Sequence, residues 1–180
     1  MTTSWYSTPD CRLEDFRALV EQKTDPADYP HAAGVDSNVL IYAAGNRFPD
    51  RQDRAQGIIQ RAARTGRCVL ATQNVGEFFH AVTRKRLGDP ATALRKAREL
   101  LVMFPTLQAP DAAAIRMALD AAATGRFTYW DALLLATLGR AGCTALLSED
   151  MQDGSSLAGV TVRNPFVGDD LPRAVADLLV

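Results

Sequence analysis

The sequence predicts an α/β fold with a central, mainly parallel sheet flanked by helices. From Cys68 onward, apolar runs too short for helices alternate with longer segments whose apolar residues recur at helical spacing. Strands separated by helices favour a parallel sheet covered on both faces. Glycines and prolines mark the joints. Gly66, Gly88, Gly125 and Gly142 follow helical segments, and Pro90, Pro105, Pro110 and Pro172 sit at starts or just past stops.

In chain order, Leu13, Phe16, Leu19 and Val20 place apolar groups on one side of a short helix, and the turn-rich stretch 24–30 follows. Residues 1–33 are therefore expected to form an N-terminal arm, and 34–180 the domain. A weak strand precedes Asp36. Further strands are expected at 68–72, 106–109, 143–148 and 160–163, and helices at 37–44, 51–65, 75–87, 91–104, 112–123, 129–139 and 171–179. In the second helix, Ala55, Ile58, Ile59 and Ala62 form the inward stripe, and Arg54, Arg61 and Arg64 read as a solvated face. Residues 130–138 are apolar all round, which marks a buried helix.

Composition narrows the class. The chain has 180 residues, enough for one core but not two full domains, and its 47% hydrophobic and 23% charged residues are those of a globular protein. The densest apolar run, 132–138, is far short of the roughly 20 residues a bilayer needs, and no basic, then apolar leader opens the sequence. A cytoplasmic protein is expected. Cys11, Cys68 and Cys143 form no close pair and read as reduced core thiols. A net charge of −1 and a pI near 6.1 disfavour bulk electrostatic capture of nucleic acid, so any such binding must be local or metal-assisted.

Four acids stand out, each with a plain alternative. Asp36 precedes an apolar helix, as an N-cap would. Glu77 lies three residues after Asn74, the spacing of a relaxed capping box, and Asp131 repeats this three after Thr128. Asp150 precedes the turn Met151-Gln152-Asp153-Gly154 and could be a solvated turn acid. Asp131 fits its plain reading least, because it enters a buried helix, where a carboxylate is costly unless paired or metal-bound. Asp36, Asp150 and, through a short connection, Glu77 all follow the carboxyl ends of expected strands, the edge where open α/β sheets place their sites. Carboxylates gathered there repel one another unless a cation neutralises them. Magnesium takes oxygen ligands and commonly shares them with substrate phosphates, which suits phosphodiester cleavage.

The same residues carry a family resemblance. Asp36-Ser37-Asn38-Val39-Leu40-Ile41-Tyr42 resembles the opening motif of PIN domains, and Asn74-Val75-Gly76-Glu77-Phe78-Phe79 the second. Trp130-Asp131-Ala132-Leu133-Leu134-Leu135-Ala136 resembles the third, and Leu146-Leu147-Ser148-Glu149-Asp150-Met151 the fourth. Order and spacing match across the chain beyond the arm. One departure is the short apolar lead into Asp36, only Ala32-Ala33-Gly34-Val35.

The resemblance implies a PIN-like three-layer fold, a Mg2+ or Mn2+ site, and endonucleolytic cleavage of RNA. On it, Asp36, Asp131 and Asp150 would hold metal directly or through water. Glu77 would bind the ion or orient the attacking water. Ser37, Asn38 and Ser148 would support them, with Asp153 a substitute or partner for Asp150. Similarity to VapC-type toxins implies a homodimer silenced by a small antitoxin. A housekeeping RNA-processing nuclease and a non-catalytic interaction module are the rival readings.

Arg84, Lys85 and Arg86 close the Glu77 helix, where cations complement the helix dipole or could contact phosphate. His31 and His80 lack metal-ligand spacing. No Gly-rich phosphate loop or nucleophilic triad motif is present.

Overall fold

The computed structural model describes residues 33–45, 49–84, 89–104 and 107–180. The N-terminal arm, His31, Cys11, Lys85, Arg86, Gly88, Pro105 and the start of the expected strand at 106 lie outside the described residues.

The elements run β1 (Ala33–Val35), α1 (Ser37–Ala44), α2 (Pro49–Thr65), β2 (Cys68–Ala71), α3 (Thr72–Arg84), α4 (Pro90–Met103) and β3 (Leu107–Gln108). They continue with α5 (Ala112–Ala123), α6 (Tyr129–Arg140), β4 (Ala145–Leu147), β5 (Ser156–Leu157), β6 (Val160–Arg163) and α7 (Arg173–Ala176), which passes into a 3-10 turn, Asp177–Leu179. The sheet order is β3-β2-β1-β4-β6-β5. All pairings are parallel except β5 with β6. The α/β expectation is therefore met.

The weak strand before Asp36 is the central one. Ala33 pairs with both Cys68 and Ala145, so β1 lies between β2 and β4. Its three residues are all buried, which is why Ala-Gly-Val shows no polar alternation in sequence.

Strand alternation divides the core into two layers. Ala33, Val35, Cys68, Leu70, Ala145 and Leu147 face α1 to α4, while Val69, Ala71, Leu146, Val160 and Val162 pack with Leu134, Leu135 and Leu138 of α6. A Cβ at Gly34 would lie 2.2 Å from Leu138 Cδ1, so glycine there lets α6 approach the central strand. The opposite face of α6 (Ala132, Leu133, Ala136) meets the alanines Ala114, Ala118 and Ala121 of α5. Small side chains on both helices permit close packing, and this explains why α6 is apolar all round.

Caps set several helix starts. Asp89 accepts from Thr92 N–H with Pro90 in the first turn, Asp111 accepts from Ala114 N–H, and Thr128 accepts from Asp131 N–H. Several boundaries differ from expectation. α3 begins at Thr72, directly from β2, rather than at 75. β4 is shorter than 143–148 because Cys143 N–H closes the end of α6 on Leu138 O. β5 was not anticipated; its hairpin with β6 turns through Ala158 and Gly159, both at positive φ (56° and 81°), a geometry that Asn-Gly would have signalled and Ala-Gly does not.

Arg54 is not part of a solvated face. It donates to the carbonyls of Pro165, Gly168 and Asp169 and ties the segment after β6 to α2. Arg61 and Arg64 are exposed as expected. Cys68 and Cys143 are buried free thiols, both pushed up to about 12 by burial, as core cysteines should be.

Candidate active site

Asp36 leaves the end of β1, its N–H bonded to Leu147 O across the sheet at 3.0 Å. Its carboxylate is 6% exposed and is surrounded by donors. Oδ1 accepts from Ser37 N–H (2.6 Å), Ser37 Oγ (3.3 Å) and Asn74 Nδ2 (3.4 Å); Oδ2 accepts from Ser148 Oγ (2.7 Å) and Asn38 Nδ2 (3.1 Å). Asp36 also caps α1, as the sequence suggested. Burial, helped by the charges of Glu77 and Asp150, raises its pKa to about 6 against the lowering effect of the Ser148 and Ser37 bonds.

Ser148 is the joint of this network. Its hydroxyl donates to Asp36 and accepts from Asn38 Nδ2 (3.2 Å) and from Asp150 N–H (3.3 Å). Asp150 itself is exposed.

Glu77 is half-buried on α3, and Gln73 Nε2 donates to its Oε1 at 2.8 Å. The expected Asn74–Glu77 capping box is absent, since Asn74 lies inside the helix. Asn74 is instead fully buried, accepting from Ala71 N–H (3.3 Å) and donating to Asp36. Asp131 is half-buried in the first turn of α6 and donates its N–H to Thr128 Oγ1 (3.2 Å), one half of a capping box. Its carboxylate accepts no hydrogen bond among the described residues. The same Gln73 Nε2 also donates to Trp130 O (3.2 Å), which ties the start of α6 to the Glu77 helix.

The charges of Glu77 and Asp150 bear on Asp36, and Gln73 ties the backbone at Trp130, the residue before Asp131, to the Glu77 helix. Asp153 does something else: its Oδ1 accepts from Asn164 N–H (2.8 Å) and fixes the turn beside β6.

Asn74, Gln73 and Glu149 are the site's unanticipated members. Arg51 donates to Glu149 Oε1 through Nε (3.0 Å) and Nη2 (2.6 Å), and Tyr42 OH donates to Oε2 (2.7 Å). Arg51 also lies 5.5 Å from the Tyr42 ring centre, and Phe166 meets that ring edge-on. Burial, together with Glu149, keeps the Tyr42 phenol protonated and donating. Glu149 is thus ion-paired with Arg51, and Asp150 is the acid of this pair whose charge bears on Asp36.

Among the described residues, no three His, Cys, Asp or Glu side chains converge tightly enough to enclose a metal ion. The donor chemistry nevertheless suits a hard cation. The acids offer oxygen alone, and two nearby amide oxygens, Asn38 Oδ1 and Gln73 Oε1, are buried with no hydrogen-bond partner.

Fold and site together define an acid-bearing α/β domain with its acids at the carboxyl edge of a parallel sheet. The PIN domain family model matches residues 34–152, more than half of the chain, and the chain belongs to that family. No curated protein matches it. PIN domains are typically nucleases and generally use divalent metals. Among the described residues, no helix is long and apolar enough to cross a membrane.

Proposed function

We propose that this chain is a magnesium- or manganese-dependent endoribonuclease and the toxin component of a type II toxin–antitoxin pair. The observation that carries the nuclease reading is the placement of Asp36, locked at the end of the central strand with the charges of Glu77 and Asp150 bearing on it. Asp36, Glu77, Asp131 and Asp150 would hold the ion. Once bound, the ion would polarise the phosphodiester and activate water. Ser148 and Asn38 orient the Asp36 carboxylate, and Gln73 orients Glu77. The toxin role rests on the resemblance of the four motifs to VapC-type chains. It carries with it cytoplasmic action, a homodimer and a small antitoxin covering the acidic edge.

Purified protein should cleave RNA with magnesium or manganese and stop on chelation, and Asp131→Asn should lose most activity because the metal-holding groups act as a unit. Magnesium at about 100 times its dissociation constant should stabilise the wild type by about 2.7 kcal/mol and the variant by much less. Full cleavage by Asp131→Asn, with equal metal-induced shifts, would leave Asp131 as a helix cap. Induced expression should arrest growth and Asp36→Asn should relieve the arrest at equal protein level. Continued growth of cells holding soluble, cleavage-competent protein would point to an RNA-processing role.

A further inference from the structure

Trp130 is 61% exposed although it opens the most buried helix of the domain, where residues 132 to 138 are all inaccessible. Tyr129 braces the ring edge-on at 5.2 Å. The Trp130 carbonyl shares the Gln73 Nε2 donor with Glu77, so the backbone that carries the indole lies against the Glu77 helix, next in sequence to Asp131.

A second observation starts from the same donor. On α3, Gln73, Glu77, His80 and Arg84 fall within about 60° of one another around the helix axis, and they run about 16 Å along it. The opposite side of α3, Asn74, Val75, Phe78 and Val82, is buried, which leaves this stripe outermost, with His80 and Arg84 exposed. Arg84 lies about 10 Å along the axis from Glu77, a distance of one to two nucleotides. It has no ion-pair partner among the described residues.

We infer that Trp130 and the Arg84 end of α3 are substrate-positioning residues for a single-stranded RNA, the indole stacking on one unpaired base beside the acids and Arg84 holding a phosphate further along α3. This rests on the nuclease reading and adds to it the path of the strand. Chemistry favours this assignment. An acidic edge on a chain of net charge −1 cannot hold RNA by bulk attraction, whereas stacking draws on the π-face of any base and owes nothing to charge. A base within a duplex keeps both faces covered, so the indole selects unpaired segments.

The test is anisotropy of a labelled single-stranded RNA, and of its duplex, bound to the full chain with metal chelated, as a function of salt. Trp130→Ala should weaken single-strand binding about tenfold or more without changing the salt slope, and Trp130→Phe should restore most of it. Arg84→Gln should weaken binding less and lower the slope of log K against log salt by about 0.7. Wild-type binding to the duplex should be weaker and indifferent to Trp130. Unchanged single-strand binding by Trp130→Ala overturns the proposal, and so does a change in its self-association in place of RNA binding, which would make the indole a protein contact. Wild type that binds in this pattern but never cleaves would remove the nuclease reading and leave the strand path standing. Cleavage with binding indifferent to Trp130 and Arg84 would do the reverse.

Discussion

Asp36 is held by hydrogen bonds from five donor atoms at 6% exposure, whereas Asp150 is exposed and Asp131 has no hydrogen bond to its carboxylate among the described residues. The difference follows from where each acid leaves the fold. Asp36 ends a strand with neighbours on both sides, and α1 and α3 close over it. Asp131 begins a helix, and Asp150 enters a loop, at the rim. One carboxylate is positioned in advance by folding and carries the desolvation cost. The others stay solvated, free to adjust around a cation and a phosphate. Such a division keeps one reference point rigid without burying several like charges together, which would be far costlier.

The largest effect that would test this contrast is pH dependence without metal. Asp36 is raised from 3.8 to about 6, so between those values the native state keeps a proton that the unfolded state has released. Its contribution is present in full below the unfolded pKa and is lost as pH rises through the folded one, a loss of about 3 kcal/mol. In chelator, the stability of wild type relative to Asp36→Asn should fall by most of that amount from pH 4 to pH 7, and magnesium should reduce the fall. A constant difference between the two proteins would mean that Asp36 is not the strained member.

A smaller effect probes the rigidity of the buried wall. Gly34→Ala drives a methyl into Leu138, whose side chain is itself fully buried and cannot retreat. Overpacking of this kind costs about 1–3 kcal/mol. Denaturant unfolding should show it, and Leu138→Val in the same chain should recover part. No loss would mean that α6 can slide on the central strand, and the contrast between fixed wall and free rim would weaken.

The smallest effect lies at the rim. Arg51→Ala releases Glu149 beside Asp150, and because the pair is partly solvated the melting temperature should fall by no more than about 3 °C. Magnesium affinity, read by calorimetry, should fall about tenfold, since the segment that carries Asp150 loses its anchor on α2. Unchanged affinity would show that Asp150 is oriented through Ser148 alone.

Periodicity and local motifs in the sequence determined the α/β class and most helices, and singled out the four acids as candidates. The caps at Asp36 and Thr128 were legible for the same reason: each is a contact between residues at most three apart. What tertiary structure alone decided lies at long separation. Asn74 meets Asp36 across 38 residues, Arg51 meets Glu149 across 98, and Tyr42 meets Glu149 across 107. A buried amide in Gln73-Asn74-Val75 looks like an ordinary helix start until another strand end supplies its partner. The three-residue Ala33–Val35 looks too weak for a strand until two neighbours pair with it. Local preference is written in consecutive residues, but a hydrogen bond or ion pair between distant elements depends on register and packing that no single segment contains.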